Sequence, residues 1–447
     1  MGQMTETLRP ANQEPIYTLV LTWVLLGPLL VFASGYGFSF ERGVMNTSTG
    51  AKLAAQGISG MGLGNNVVLR IQTLLVYLIC ALLTAPFVRV IAADFRRDML
   101  IASLPLLAVL SCIWSQNASK TAGYAILLIL AMAFAYYLVE RFPANELMKL
   151  FVIVGAVAAT GSLILIVFFP QYGLQERGGI ASGAWEGIFG HKNNCGAMMT
   201  YLLLPAFFVQ LESRSARIFR IAYVAVVLLI IAMSRSAGSW VVCGSCLVFI
   251  AVLHLLARMR RKDVAAIAFV LTGVAVIAGI VVYNYFTVLM FAIGKDPTMS
   301  GRTIIWSGLM PSLMKRPLLG YGFMAFWQGL HGESANVGLL MNWPGMGYAE
   351  NGVIELWLEL GLIGVAIYLL VFFRGVKDAV YCFTRKPSPA AMWYISLLFA
   401  LALTNIEGGV LVSPPDLMFI LPLVAFIGLR REAQRMRSQR LCEISAG

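Results

Sequence analysis

Apolar runs long enough to cross a bilayer recur along the whole chain, separated by short polar connections. A run of roughly 18 or more apolar residues reads as a membrane helix, because about 20 residues of helix match the hydrocarbon thickness. The pattern predicts twelve spans, over 16–38, 71–92, 99–114, 121–139, 147–169, 193–211, 218–233, 238–257, 264–288, 350–373, 391–405 and 414–430. The first is too long for a signal-peptide core and shows no small-residue cleavage site, so it is expected to remain as a span. The fold class expected is all-α integral membrane, with one polytopic domain over 1–447. One connection stands apart: residues 289–349, between the ninth and tenth spans, form a long polar insert. A loop of that size held by membrane helices points to chemistry at a bilayer face.

Composition supports this reading. The chain of 447 residues is 59% hydrophobic and only 12% charged, against about 25% charged in a soluble domain. A net charge of +12 would suggest nucleic acid as the partner of a soluble protein. Here the positive residues flank apolar spans, which is a topology signal, and no nucleic-acid partner is expected. With the N-terminus placed in the cytoplasm, most of the 33 Lys and Arg fall on the inner side. They include Arg89, Arg96 and Arg97, the group from Arg258 to Lys262, Arg374 to Lys386, and Arg430 to Arg440. Both termini are then cytoplasmic, 431–447 is a basic tail at the anionic leaflet, and 289–349 faces outward. Cys243 and Cys246 form a C-x-x-C inside an apolar segment with no second ligand pair, so no metal or redox centre is expected.

The outward-facing connections collect the residues able to carry chemistry. Arg177, His191, Lys192, Asn193 and Asn194 lie between spans five and six, and Arg235 sits in a tight turn between spans seven and eight. An arginine at the outer end of two apolar helices either snorkels to the interface or binds an anion. Its planar fork suits phosphate. Arg302 opens an amphipathic stretch in which Ile304, Ile305, Leu309, Leu313 and Met314 recur at helical spacing, with Ser300 as N-cap. Either this helix lies on the membrane with Arg302 solvated, or Arg302 and the helix dipole together attract an anion. Glu350 and Asn351 mark the return into span ten, where Glu355 and Glu359 share one face. The two line a wet vestibule for structural reasons, or they hold an acceptor hydroxyl or remove its proton.

Four segments in this order resemble the O-antigen ligase and polymerase (Wzy/WaaL) superfamily: GIFGHKNNCG (187–196), SRSAGSW (234–240), SGRTIIW continuing to RPLLGYGFMAFW (300–327), and AENGVIELWLELGLIG (349–364). The likeness is strongest to exopolysaccharide polymerases of the ExoQ type. The resemblance implies a bacterial inner-membrane glycosyltransferase of the GT-C type. Such an enzyme takes an undecaprenyl-diphosphate-linked oligosaccharide at the periplasmic face, with membrane lipid as its surroundings and no nucleotide sugar, cofactor or metal. It places the diphosphate-holding arginines at Arg235 and Arg302. Where the ligases carry a histidine proposed as general base, this chain has Glu350, followed by the family's asparagine as Asn351. His191, Lys192, Asn193 and Arg177 are secondary candidates for donor contacts. The expected reaction is polymerisation of repeat units, with a chain-length co-polymerase as a possible partner. The alternatives are a ligase transferring the glycan to lipid A core or protein, and a transporter of the lipid-linked sugar.

Overall fold

The computed structural model describes residues 15–34, 67–175, 183–259, 302–341, 346–408 and 416–446. The ninth predicted span, Arg177 and the Ser300 cap lie outside the described residues. The described chain is helical, with one isolated antiparallel bridge between Leu174 and Trp185. Seven helices are long and apolar enough to cross a membrane: Ile71–Arg96, Ala118–Arg141, Ala144–Phe168, Arg214–Met233, Ala237–Ala257, Gly352–Arg385 and Pro389–Ile406. Each falls on a predicted span. Shorter apolar helices, Trp23–Ser34 and Met99–Ile113, match two more.

The bundle is apolar on its outside as well as within. Leu82, Val167, Val248 and Phe373 are exposed, while Phe134, Phe151, Tyr201 and Trp393 are fully buried. An apolar exterior is what lipid requires, and the protein is a multi-pass membrane protein. Two predicted boundaries change. The expected span 193–211 is helical only over Lys192–Leu203, because Pro205 tightens the next turn into a 3-10 helix, Leu204–Phe207. The last span does not end where the basic tail begins, since one helix runs from Leu417 to Ala446.

That continuation has an electrostatic cause. Arg431 pairs with Asp94 (2.6 Å) and Glu140 (2.5 Å), and Arg437 pairs with Asp378 (2.7 Å). Arg374 and Arg430 both reach Asp98, at 2.8 and 3.2 Å. Asp94, Glu140 and Asp378 come from three other helices and Asp98 from the link between two, so the network ties the helix ends together at one pole of the bundle. Lys120 and Glu140 sit near opposite ends of Ala118–Arg141, about 30 Å apart at 1.5 Å rise per residue. Everything bonded to Lys120 therefore lies at the other pole.

The helix Gly352–Arg385 is broken at Gly361, whose φ of 69° and ψ of −173° are not helical. The break frees two carbonyls and two N–H groups. The segment after the amphipathic helix fills it: Tyr321 and Gly322 donate N–H to Leu358 O (2.8 Å) and Glu359 O (2.9 Å), while Leu362 and Ile363 donate to Pro317 O (2.8 Å) and Leu318 O (3.3 Å). Only glycine fits at the break, because a Cβ on Gly361 would stand 2.1 Å from Leu318 O. The long loop is thus anchored into the bundle. It also has a small core of its own, in which Ile305, Leu309 and Leu313 of the helix Arg302–Lys315 meet Phe326, Trp327 and Val337. Ile304 and Met314, expected on the same apolar stripe, are instead more than half exposed.

Candidate active site

The turn from Ala349 to Asn351 is held on every side. Trp306 donates its indole N–H to Ala349 O (2.9 Å), and the Ala349 N–H donates to Glu355 Oε2 (2.8 Å). Asn351 caps the following helix, its Oδ1 accepting from the N–H groups of Val353 and Ile354, both at 3.0 Å. Between these anchors Glu350 adopts φ +53°, a left-handed conformation that costs a non-glycine residue about 1–2 kcal/mol. Its side chain receives Arg302 Nη2 at 3.1 Å, with the two side chains 17% and 25% exposed. Burial pushes the Glu350 carboxyl above the ordinary glutamate value, and the neighbouring guanidinium pulls in the opposite direction.

Arg302 lies on the helix Arg302–Lys315. A guanidinium and a carboxylate thus meet at one point, partly open to solvent. This can bind an anion through Arg302 and remove a proton through Glu350.

Glu355 and Glu359 were expected on a wet face, and the structure puts them beneath the turn instead. They are 5% and 1% exposed. The Glu355 oxygens accept from the Ala349 N–H and from the indole of Trp327, and Glu359 accepts from the Met324 N–H. The physical reason is the docking of the 317–329 segment, which covers that face of the helix. Lys120, which sequence reasoning passed over, donates Nζ to Trp327 O at 2.9 Å. Its only signal was a lysine in the first turn of an otherwise apolar helix.

A second group forms at the start of Lys192–Leu203. His191 is the N-cap, its Nδ1 accepting from the Asn193 N–H at 3.2 Å. The ring hydrogen then sits on Nε2. A Cβ on Gly196 would meet Ser239 at 2.5 Å and Ser234 Oγ at 3.0 Å, so this helix packs directly on the Ser234–Ser236 turn. Arg235 in that turn is exposed and has φ +52°. Trp185 closes the group by donating its N–H to Met233 O at 3.0 Å. The two groups are linked through Pro389–Glu407, where Thr404 bonds the Tyr201 hydroxyl (3.1 Å) and Asn405 abuts Gly352.

Among the described residues, the non-glycine residues at positive φ are Arg235, Met324 and Glu350. Each lies inside one of the four motif segments. Such strain persists where the surroundings over-determine it, and it concentrates at functional sites.

Comparison with known proteins agrees with the resemblance read from the sequence: residues 222–369 match the O-antigen ligase family (Wzy_C). The matched segment takes in Arg235, Arg302 and Glu350. The chain is similar to the "Exopolysaccharide production protein ExoQ" of Rhizobium meliloti, 29% identical over 157 residues, which are 33% of this chain and 35% of that protein. It is also similar to the "Putative polysaccharide ligase RP358" of Rickettsia prowazekii, 27% identical over 89 residues, 19% of this chain and 22% of that one. The matched part thus spans about a third or less of these relatives' length.

Proposed function

We propose that the chain is a GT-C-type glycosyltransferase of about twelve spans that polymerises undecaprenyl-diphosphate-linked repeat units at the periplasmic face of a bacterial inner membrane. The observation that carries this reading is the Arg302–Glu350 pair on the strained turn at 349–351. The donor diphosphate takes the guanidinium of Arg302, with Arg235 as the second cation, and this releases the Glu350 carboxylate. An acceptor hydroxyl attacks C1 of the donor sugar while Glu350 takes its proton. The bond from C1 to the diphosphate oxygen breaks, and its electron pair leaves with the lipid diphosphate. The arginines act on charge that grows in the transition state, so they accelerate the step rather than merely bind the substrate. His191, Lys192 and Asn193 contribute contacts to the sugar or phosphate, and Arg177 is assigned to the same face.

Transfer to lipid A core or protein is the second reading, favoured by the ligase name of the family and of the Rickettsia relative. A transporter would use a broken helix as an open ion or substrate site. Here the freed backbone groups at Gly361 are taken by the chain's own 317–322 segment. Deleting the gene tests the assignment. Accumulation of lipid-linked single repeats supports a polymerase, accumulation of long lipid-linked chains supports a ligase, and unchanged polysaccharide contradicts both.

A further inference from the structure

Glu355 stands one helical turn below Glu350, where no substrate reaches it. Its Oε2 accepts from the Ala349 N–H and its Oε1 from the Trp327 indole N–H. The N–H it grips belongs to the Tyr348–Ala349 peptide bond, one before the bond that enters Glu350. The opposite side of Ala349 is held by Trp306, and Trp327 is itself fastened by Lys120. The chain of contacts runs from the head of the helix Ala118–Arg141, through Lys120, Trp327 and Glu355, to the backbone that sets Glu350 at φ +53°.

We infer that Glu355 is a positioning residue for the proton-accepting carboxylate at 350. Two N–H donors converge on it, so it must offer two acceptors, and a carboxylate is the side chain that does so. A glutamine offers one oxygen and one NH2 group. Whichever way the amide turns, an N–H faces an N–H. If the oxygen keeps Ala349, the NH2 opposes Trp327; if it keeps Trp327, the grip on Ala349 is lost and Glu350 relaxes from its strained conformation. Aspartate is a methylene too short to reach both donors. This burial of an acceptor-only group, with its partners supplied by two motif segments, explains why a costly acidic side chain stands in a fully packed position.

The inference rests on Glu350 acting as the base, and the test separates the two claims. The full-length protein in lipid is supplied with the lipid-linked oligosaccharide that accumulates in the deletion strain. Wild type, Glu350→Gln, Glu355→Gln, Trp327→Phe and the double variant Trp327→Phe/Glu355→Gln are compared for kcat, KM and thermal stability. No turnover by wild type, or full turnover by Glu350→Gln, defeats the functional reading itself. With that reading intact, Glu355→Gln is expected to lower kcat about 100-fold, the scale of a reacting group displaced by about 1 Å, while KM changes little. The same substitution is expected to cost less in the Trp327→Phe background, where the opposing indole N–H is gone. Should Glu355→Gln fail to fold, the double variant is expected to recover both folding and turnover. Wild-type kcat in Glu355→Gln, an equal penalty in both backgrounds, or a folded double variant without turnover would overturn the proposal.

Discussion

Arg302 and Glu350 are 48 residues apart in the chain and 3.1 Å apart in space. The contact joins the helix Arg302–Lys315 of the long loop to the strained turn that opens the broken helix. It brings two sequence motifs to one point, where the proposed function puts the anion and the attacking hydroxyl of a glycosyl transfer.

Replacing Arg302 with Ala removes the proposed phosphate ligand and leaves Glu350 with an uncompensated charge. Turnover is expected to fall on the order of 100- to 1000-fold, the usual effect of losing one electrostatic stabiliser. The protein should still reach the membrane. Polymer length on a gel and immunoblotting of membranes read the two effects separately.

Acidity gives a second check. The Glu350 carboxyl lies above its ordinary value because it is buried. As a base it works only when ionised, so turnover should rise with pH along a limb displaced above the usual carboxylate range. Stability moves the other way. A carboxyl that holds its proton more tightly when folded contributes stability that is complete below the unfolded pKa and is lost as pH rises through the folded one. Glu350→Gln is therefore expected to be inactive yet no less stable than wild type at neutral pH. Thermal unfolding of the two proteins at pH 5 and pH 8 measures this.

The break at Gly361 is expected to tolerate no side chain. Gly361→Ala meets Leu318 O at 2.1 Å and holds a residue with Cβ at φ +69°. Dihedral strain alone costs about 1–3 kcal/mol, and the backbone clash adds to it. The 317–322 segment should come away from the helix and become open to protease. Limited proteolysis that cuts wild type and variant at equal rates would contradict this.

The opposite pole should behave as structure alone. Asp98 is almost fully buried and pairs with both Arg374 and Arg430. Asp98→Asn removes the carboxylate partner of Arg374 and leaves Arg430 with Asp378 alone, and breaking a buried pair costs on the order of 3 kcal/mol. Thermal stability should drop while turnover per folded molecule stays near wild type.

Orientation has a built-in reporter. Cys442 is exposed, whereas Cys80, Cys195, Cys243, Cys246 and Cys382 are buried. With the termini in the cytoplasm, an impermeant maleimide should reach Cys442 only after the inner membrane is opened. A cysteine introduced at the exposed Asn336 should react in spheroplasts. The reverse pattern would invert the topology.

Much of this architecture was legible in the sequence because hydropathy acts locally: among the described residues, the seven long apolar helices each fall on a predicted span. The pairing of Arg302 with Glu350 was half legible, since charge patterning put both on one face but could not supply the distance. What escaped was non-local. The burial of Glu355 and Glu359 depends on the 317–329 segment folding over them, and the break at Gly361 depends on that segment lending its backbone. The tail 431–447 read only as a basic, polar tail at the membrane surface because its acidic partners, Asp94, Glu140 and Asp378, lie far away in the chain. The two indoles were present in the motifs, and a buried tryptophan needs an acceptor for its N–H. No pattern in the sequence named Ala349 or Glu355 as that acceptor.

The most direct measurement uses the purified protein in lipid, without added nucleotide sugar, supplied with the lipid-linked repeat unit from a deletion strain. Products are resolved by length for wild type, Arg302→Ala and Glu350→Gln. A ladder of lengthened lipid-linked chains with wild type, lost in both variants, is the expected result. A ladder from Glu350→Gln equal to that of wild type would show that the proton goes elsewhere and that the Arg302–Glu350 pair is not the reacting centre.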